Sequence, residues 1–386
     1  MTLGHPAKRS CTTATRRTAL KAMAAAALLG PSAMVPTRTG ATPGAGKERF
    51  AGKRQEERDR TKFSAKAIYL DPRITTERDE FEALVDLIHR TELNALVLDI
   101  KEIGVYYDTD VAFFHDVGAV APRYDVTDYL RTLKEHDIYT IARLVSFKDP
   151  ITPQARPDLA VTDEVTGEIW RDGGDETWLN PFAEEVWEAT TDLAREAAEL
   201  GFDEVQFDYV RLPDGNIRTA NFGPVPYTYE ARTDAIGSFL SMGKDKLAPL
   251  NAKVSADIFG YSLLVENGDD LGIGHDPSVL APAVDYLCPM VYPSHFPEGS
   301  LGVDGHPNDF PYETIEISLS LGEAKLPGEI SRFRPWLQDF SLPGLSDYTA
   351  EDVRAQIDAA EAIGTSGWMI WDPNNRYHEA AFAAAE

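Results

Sequence analysis

Cysteine is almost absent from the sequence. Of the two present, Cys11 lies in a basic, alanine-rich N-terminal stretch and Cys288 stands alone in the rest. No disulfide can therefore brace the mature fold, and its stability has to come from a buried core. Basic residues are few: 37 Lys and Arg oppose 63 Asp and Glu, for a net charge of −26. The imbalance is uneven, because residues 1–62 hold 13 of the basic residues and only 4 of the acidic ones. The remainder is strongly anionic and repels nucleic acid and anionic membranes, which removes both as partners. No apolar run approaches the roughly 20 residues of a membrane span, so no membrane insertion is expected. The 8 histidines form neither an HxH nor an HExxH pair. No GxSxG elbow, P-loop or GxGxxG follows a strand-like stretch. No metal, cofactor, serine nucleophile or nucleotide is expected on those grounds.

What the N-terminus does contain is a pattern. "TATRRTALKAMAAAALLG" places Arg16-Arg17 ahead of Leu20, Lys21 and a short Ala/Leu stretch. A charged region before a brief apolar one is the plan of an export signal. The paired arginines resemble the twin-arginine signal of proteins exported already folded. Residues 1–45 are read as that signal and 46–63 as a charged linker without apolar periodicity. Residues 64–386 are read as one folded domain, secreted or otherwise extracytoplasmic.

From residue 64 on, strand-like and helix-like stretches alternate. "KAIYL" (66–70) precedes a segment in which Phe81, Leu84, Val85 and Ile88 recur at helical spacing, with Thr76 and Asp79 as its capped start. "ALVLDIKE" (95–102) leads to a helix near 125–136, and "YTIARLVSF" (139–147) to a long insertion. Asn180, Pro181 and Gly201 then read as the N-cap, first position and stop of another helix. "EVQFDYVRLP" (204–213), "KVSADIFGY" (253–261), "DYLCPMVYP" (285–293), "FRPWLQDF" (333–340) and "GWMIWDP" (367–373) complete eight strands. Helices near 228–247, 311–324 and 349–364, and a helical turn near 275–282, fall between them. Alternating β and α elements imply a parallel sheet, and eight such units suit an α/β fold of the (β/α)8 TIM barrel class with an extended loop insertion after strand 3. A doubly wound open sheet is the alternative.

In such a barrel the functional site lies at the C-terminal ends of the strands. Alternation puts Val205, Phe207 and Tyr209 on one face of the fourth strand and Gln206 and Asp208 on the other. A buried carboxylate there needs a cation, hydrogen bonds or a chemical role. On the matching parity the second strand ends in Asp99 and Lys101, the third in Arg143, and the fifth in Ser255 and Asp257, with Tyr261 beyond. The sixth gives Met290 and Tyr292, the seventh Trp336 and Gln338, the eighth Met369 and Trp371. Asp99 with Lys101 or Arg143 also reads as a structural ion pair, and Trp336 and Trp371 equally as core. Asp208 and Asp257 stand apart. Two carboxylates on adjacent strands suit acid/base chemistry, since one ionised carboxylate raises the pKa of its neighbour.

"VQFDYVRLP", "VSADIFGY", "CPMVYPSHF" and "GWMIWDP", in this order, resemble a glycoside hydrolase domain family long catalogued as a domain of unknown function. That family is a barrel distantly related to the α-amylase and α-galactosidase groups, and the resemblance covers about residues 66–380. It implies that Asp208, ending strand four, is the nucleophile. The α-amylase group carries its acid on strand five, usually as glutamate, where this chain has the shorter Asp257. The α-galactosidase group takes its acid from around strand six, where this chain offers Tyr292 and His295 but no carboxylate before Glu298. Asp208 and Asp257 are thus the expected catalytic pair. Asp99, Lys101, Arg143, Gln206, Tyr261, Tyr292, His295, Gln338, Trp371 and Asp372 are expected to bind a carbohydrate substrate.

The insertion at 149–180 is expected over the mouth, with "AVTDEVTGEIWRD" as a hairpin turning near Thr166-Gly167. Its Trp170 and Trp178 read more readily as pins holding the hairpin to the barrel than as sugar-stacking platforms. The leading expectation is a secreted glycoside hydrolase of the retaining type. The rival is a carbohydrate-binding barrel at the cell envelope that lacks catalysis; such a module would keep the tryptophans and tolerate Asn at 208 or 257.

Overall fold

A computed structural model describes residues 63–73 and 77–385. The expected export signal, and the linker up to residue 62, lie outside the described residues. Eight strands form the core of the domain: β1 Ala65–Leu70, β2 Ala95–Lys101, β3 Tyr139–Val145, β4 Glu204–Asp208, β5 Lys253–Phe259, β6 Tyr286–Met290, β7 Trp336–Gln338 and β8 Gly367–Trp371. Each pairs in parallel with the next, and β8 pairs with β1, so the sheet closes. Closure excludes the open-sheet alternative; the fold is a (β/α)8 TIM barrel.

Strand alternation sorts the core into two shells. Outward residues such as Val205 and Phe207 join the layer between barrel and helices, where the Phe207 ring meets Phe239 edge to face at 5.1 Å. Inward residues, among them Ala67, Tyr69, Val97, Ile141, Cys288, Trp336 and Met369, form a separate cluster inside the barrel. The long helices of the outer layer are α1 Arg78–Arg90, α2 Val126–Glu135, α3 Glu184–Leu200, α4 Tyr229–Leu247, α5 Pro311–Lys325 and α6 Ala350–Ile363. No helix among the described residues is long and apolar enough to cross a membrane.

Two helix starts differ from the sequence reading. Thr76 lies outside the described residues, and α1 begins at Arg78 with Glu77 at its N-cap and no side-chain cap. Asn180 does not cap α3. Its Oδ1 accepts the Phe182 N–H at 3.1 Å and its carbonyl accepts the Ala183 N–H at 3.0 Å, closing a turn, and the helix starts only at Glu184. The stop holds: Gly201 has φ of 114°, a left-handed residue after the last turn. Closure has its own glycine. Gly367 has φ of +83°, and a Cβ there would lie 2.0 Å from the Ala65 carbonyl oxygen, so β8 and β1 approach only without a side chain.

The insertion after β3 folds as a hairpin. Asp163 and Glu168 are bonded across it at 2.7 Å, with Gly167 at φ of 75° in its turn. Thr162–Asp163 also pairs antiparallel with Ala220–Asn221 from the loop after β4. Trp170 and Trp178 are both buried in the core, and the Trp178 indole donates to Asp172 at 3.0 Å. They pin the hairpin to the barrel.

Phe81, Leu84, Val85 and Ile88 are all buried on the barrel-facing side of α1. Leu84→Ala should therefore cost about 2–5 kcal/mol in denaturant melts. A loss below about 0.5 kcal/mol, the range of an ordinary surface substitution, would contradict this packing.

Candidate active site

β2, β3 and β4 bring Asp99, Arg143 and Asp208 to the same end of the barrel, Asp99 opposite Arg143 in register. Arg143 divides its guanidinium between the two carboxylates. Nη1 donates to Asp99 Oδ1 at 2.6 Å, while Nε and Nη2 donate to Asp208 Oδ2 at 3.1 and 2.5 Å. The second Asp99 oxygen accepts the Tyr69 hydroxyl at 2.6 Å. The other Asp208 oxygen accepts the N–H of Tyr209 at 2.5 Å.

That last bond has a backbone cause. The strand stops at Asp208, and Tyr209 adopts φ of 47°, a left-handed conformation that is unfavourable for an aromatic residue. The reversal turns the Tyr209 N–H back onto the preceding carboxylate. It ends the strand before Tyr209, which the sequence reading had included, although Tyr209 still packs against the cluster of Val205 and Phe207.

Asp257 faces the same space from β5. The β4–β5 ladder runs through Phe207 and Ala256, so Asp208 and Asp257 are the next pair of neighbours along it. Among the described residues the Asp257 carboxyl has one hydrogen-bond partner, the Trp336 indole N–H, which donates to Oδ1 at 2.7 Å. Burial, and then the charge of Asp208, pushes the Asp257 carboxyl well above its ordinary value; Arg143 and the indole pull the other way without prevailing. Burial likewise pushes Asp99 up to about 7 against the pull of Arg143. Burial opposes the Arg143 charge, but Asp99 and Asp208 outweigh it and hold its pKa well above the ordinary value.

Aromatic rings complete the mouth. Trp371 stacks on Tyr69 at 4.1 Å, and Arg143 lies over both rings at 5.2 and 5.6 Å. Tyr292 lies near both catalytic candidates, and burial followed by the Asp257 and Asp208 charges raises its phenol well above the ordinary value. Of the expected site residues, Asp208, Asp257, Asp99, Arg143, Tyr292 and Trp371 therefore share one space.

Others are committed elsewhere. The pairing of β2 with β3 slips between Asp99 and Lys101, which sits opposite the outward Leu144. This bulge takes Lys101 out of the alternation that Asp99 obeys. Its ammonium is buried against Asp149 at 3.2 Å and the Val145 carbonyl at 3.0 Å, and so anchors the insertion. Gln206 lies deeper in the barrel, its amide N–H on the Met369 sulfur at 3.3 Å. Gln338 is taken up by loop groups, accepting the Ser294 N–H at 3.0 Å and donating to the Phe340 carbonyl at 2.8 Å. Asp372 ties its own turn, accepting the N–H groups of Asn374 and Arg376 at 2.7 and 3.0 Å. Tyr261 and His295 stand further out, against Phe296 and Tyr292 respectively.

The sequence reading missed Tyr69, although the inward parity of Ala65 and Ala67 leads directly to it. It also missed Glu204, which shares the parity of Gln206 and Asp208. Glu204 forms a fully buried pair with Arg334, at 2.7 and 2.9 Å, at the opposite end of the barrel. Among the described residues no group of three or more His, Cys, Asp or Glu is arranged to hold a metal ion.

The model of the family described as "Putative glycosyl hydrolase domain" matches residues 67–377. A hypothetical protein from Ruminiclostridium thermocellum ATCC 27405 is 35% identical, covering 49% of this chain and 96% of its own, with a TM-score of 0.44. The glycoside hydrolase domain of PgaB (BpsB) from Bordetella bronchiseptica is similar in fold, with a TM-score of 0.60 at 14% identity, over 81% of this chain and 95% of that one. TtGalA, an alpha-galactosidase from Thermus thermophilus, gives a TM-score of 0.50 at 14% identity, over 86% and 62%. No curated protein sequence matches the chain.

Because Asp99 is raised from 3.8 to about 7, the folded protein holds a proton in that interval that the unfolded chain has lost. The stability contributed by this group is complete below 3.8 and is lost as pH rises toward about 7. Asp99→Asn removes the titration, so its urea midpoint should fall less over that interval than that of the wild type. Identical pH dependence in the two proteins would mean that Asp99 does not titrate there.

Proposed function

The chain belongs to the glycosyl hydrolase domain family whose model it matches, and from that premise we propose that it hydrolyses O-glycosidic bonds of an extracellular poly- or oligosaccharide with retention at the anomeric carbon. The observation that carries this reading is the contrast between two neighbouring carboxyl groups. Asp208 is ion-paired with Arg143 and fixed by the Tyr209 N–H. Asp257, one strand away, is buried and pushed toward its neutral form. One group is dressed as a nucleophile and the other as an acid.

In the first step the Asp257 carboxyl gives its proton to the glycosidic oxygen while an Asp208 oxygen attacks the anomeric carbon. The bond to the leaving sugar breaks, and a glycosyl ester forms. In the second step the Asp257 carboxylate takes a proton from water, the water oxygen attacks the same carbon, and Asp208 is released. Retaining pairs have carboxyl groups about 5–5.5 Å apart and inverting pairs about 6.5–9.5 Å. Adjacent strands lie about 4.8 Å apart, which supports the shorter spacing for neighbours along the β4–β5 ladder.

Asp208→Asn should abolish turnover and, because Arg143 keeps Asp99 as a partner, preserve the fold and sugar binding at some cost in stability. Asp257→Asn should lose about 10²–10⁴-fold on substrates with poor leaving groups, much less on good ones, and azide should accelerate it. Reducing-end release from a polysaccharide panel reads both. An Asp208→Asn protein that cleaves at a near wild-type rate would overturn the mechanism and favour a barrel that binds carbohydrate without cleaving it.

Extracellular action rests on Arg16 and Arg17 ahead of the short apolar stretch. Replacing both with Lys should leave the precursor inside the cell, as read by fractionation. Unchanged export would exclude the twin-arginine route.

A further inference from the structure

We infer that Trp336 is a positioning residue for the acid, occupying Asp257 Oδ1 so that the transferable proton resides on Oδ2. The inference rests on the acid/base role proposed above for Asp257. The indole N–H meets Oδ1 at 2.7 Å, and both residues are about 1% exposed. An indole can only donate, so the oxygen it contacts must act as acceptor in either protonation state. In the neutral acid that oxygen is the carbonyl oxygen, which leaves the hydroxyl at Oδ2.

The ring cannot easily turn away. Trp336 is held edge to face by Tyr69 at 6.3 Å and by Trp371 at 5.7 Å. Its backbone is fixed on both sides, opposite Met290 of β6 and Met369 of β8. The rings that clamp the indole also flank Arg143, through its faces on Tyr69 and Trp371. A single aromatic cluster thus sets the orientation of the acid and borders the cation of the nucleophile.

Several other groups influence Asp257. Asp208 on β4 and Glu204 deeper in the barrel raise it, and Arg143 on β3 lowers it. Cys288 and Tyr292, on and just beyond β6, are themselves raised by burial and then by its charge. The indole hydrogen bond is stronger to the carboxylate than to the acid, so its removal should raise the Asp257 pKa further.

Trp336→Phe removes the N–H and keeps an aromatic ring. We expect kcat to fall about ten- to a hundredfold with KM nearly unchanged, as for loss of a charge-assisted hydrogen bond made at the reacting group. The basic limb of the kcat profile should move to higher pH, which a packing defect alone would not do. A second measurement needs no substitution at 336. The chain has 6 tryptophans, and in the tryptophan-labelled protein one indole N–H resonance should follow pH as Asp257 titrates. That movement should vanish in Asp257→Asn. Absence of any indole that tracks Asp257, or a Trp336→Phe profile that loses rate without moving, would overturn the inference. The indole titration does not depend on hydrolysis. If Asp208→Asn still cleaves substrate while the indole follows Asp257, the catalytic reading fails and the hydrogen-bond assignment stands.

Discussion

The charge distribution at the mouth depends on one guanidinium serving two carboxylates. Burying Asp99, Arg143 and Asp208 removes three charges from water, each at a penalty of several kcal/mol, and only close hydrogen-bonded pairing offsets it. A planar guanidinium can meet two carboxylates at once through different N–H groups, which a lysine ammonium does less well. The arrangement gives both aspartates a partner from a single cation. Asp257 receives an indole N–H in place of a cation. Burial, and then the Asp208 charge, push its carboxyl toward the neutral form, and Arg143 and the indole only partly oppose them.

The same logic of side chains acting across the barrel explains how β7 stays in the sheet. It is only three residues long and meets β6 at a single register position, Met290 opposite Trp336. Side chains on and beside it compensate. Arg334 crosses to Glu204 of β4, Trp336 to Asp257 of β5, and Gln338 to the loop after β6. Removing one partner of a buried pair strands the other charge, at about 3–5 kcal/mol. These polar contacts therefore tie β7 to β4, β5 and the loop after β6. They stand beside the backbone bonds of Arg334 to Leu287 and of Val291 to Trp336 at its seam with β6, and the Trp336 bond to Asp257 also shapes the site.

The barrel was legible in the sequence because its signals are local. Periodicity marked the elements from β1 to β8, and alternation along β4 and β5 brought Asp208 and Asp257 to the mouth. Where the reading failed, it had extended a local rule past its limit. Lys101 obeys alternation with Asp99 until a bulge intervenes, and a bulge leaves no mark in residue type. β4 runs until the chain turns left-handed at Tyr209, a residue that rarely does so. Asn180 looks like a cap but spends its side chain on a turn before the helix. Arg334 could not have been matched with Glu204 from spacing, because 130 residues separate them. Tyr69 was within reach. Its parity was readable, but the end of the first strand was not followed into the mouth.

The acidic exterior and the acidic interior act on the proposed chemistry at different ranges. Residues 63–386 hold 24 basic and 59 acidic residues, a net charge of −35 that exceeds the −26 of the whole chain, and such a surface disfavours ionisation of any carboxyl within it. That influence is screened over about 8 Å at physiological salt, whereas Asp208 and Asp257 are both buried neighbours and are screened much less. The local term is the one that can change during a catalytic cycle. In the proposed cycle Asp208 becomes a neutral glycosyl ester, and the charge that adds to burial in raising Asp257 disappears while Arg143 remains nearby. The Asp257 pKa then falls at the stage when it has just given up its proton and must serve as a base. When water releases the sugar, the Asp208 charge returns and Asp257 is again driven to hold a proton. In that proposed cycle the coupling that, together with burial, favours the protonated acid at rest thus also resets it, which is what a retaining pair requires of two carboxyl groups fixed on adjacent strands.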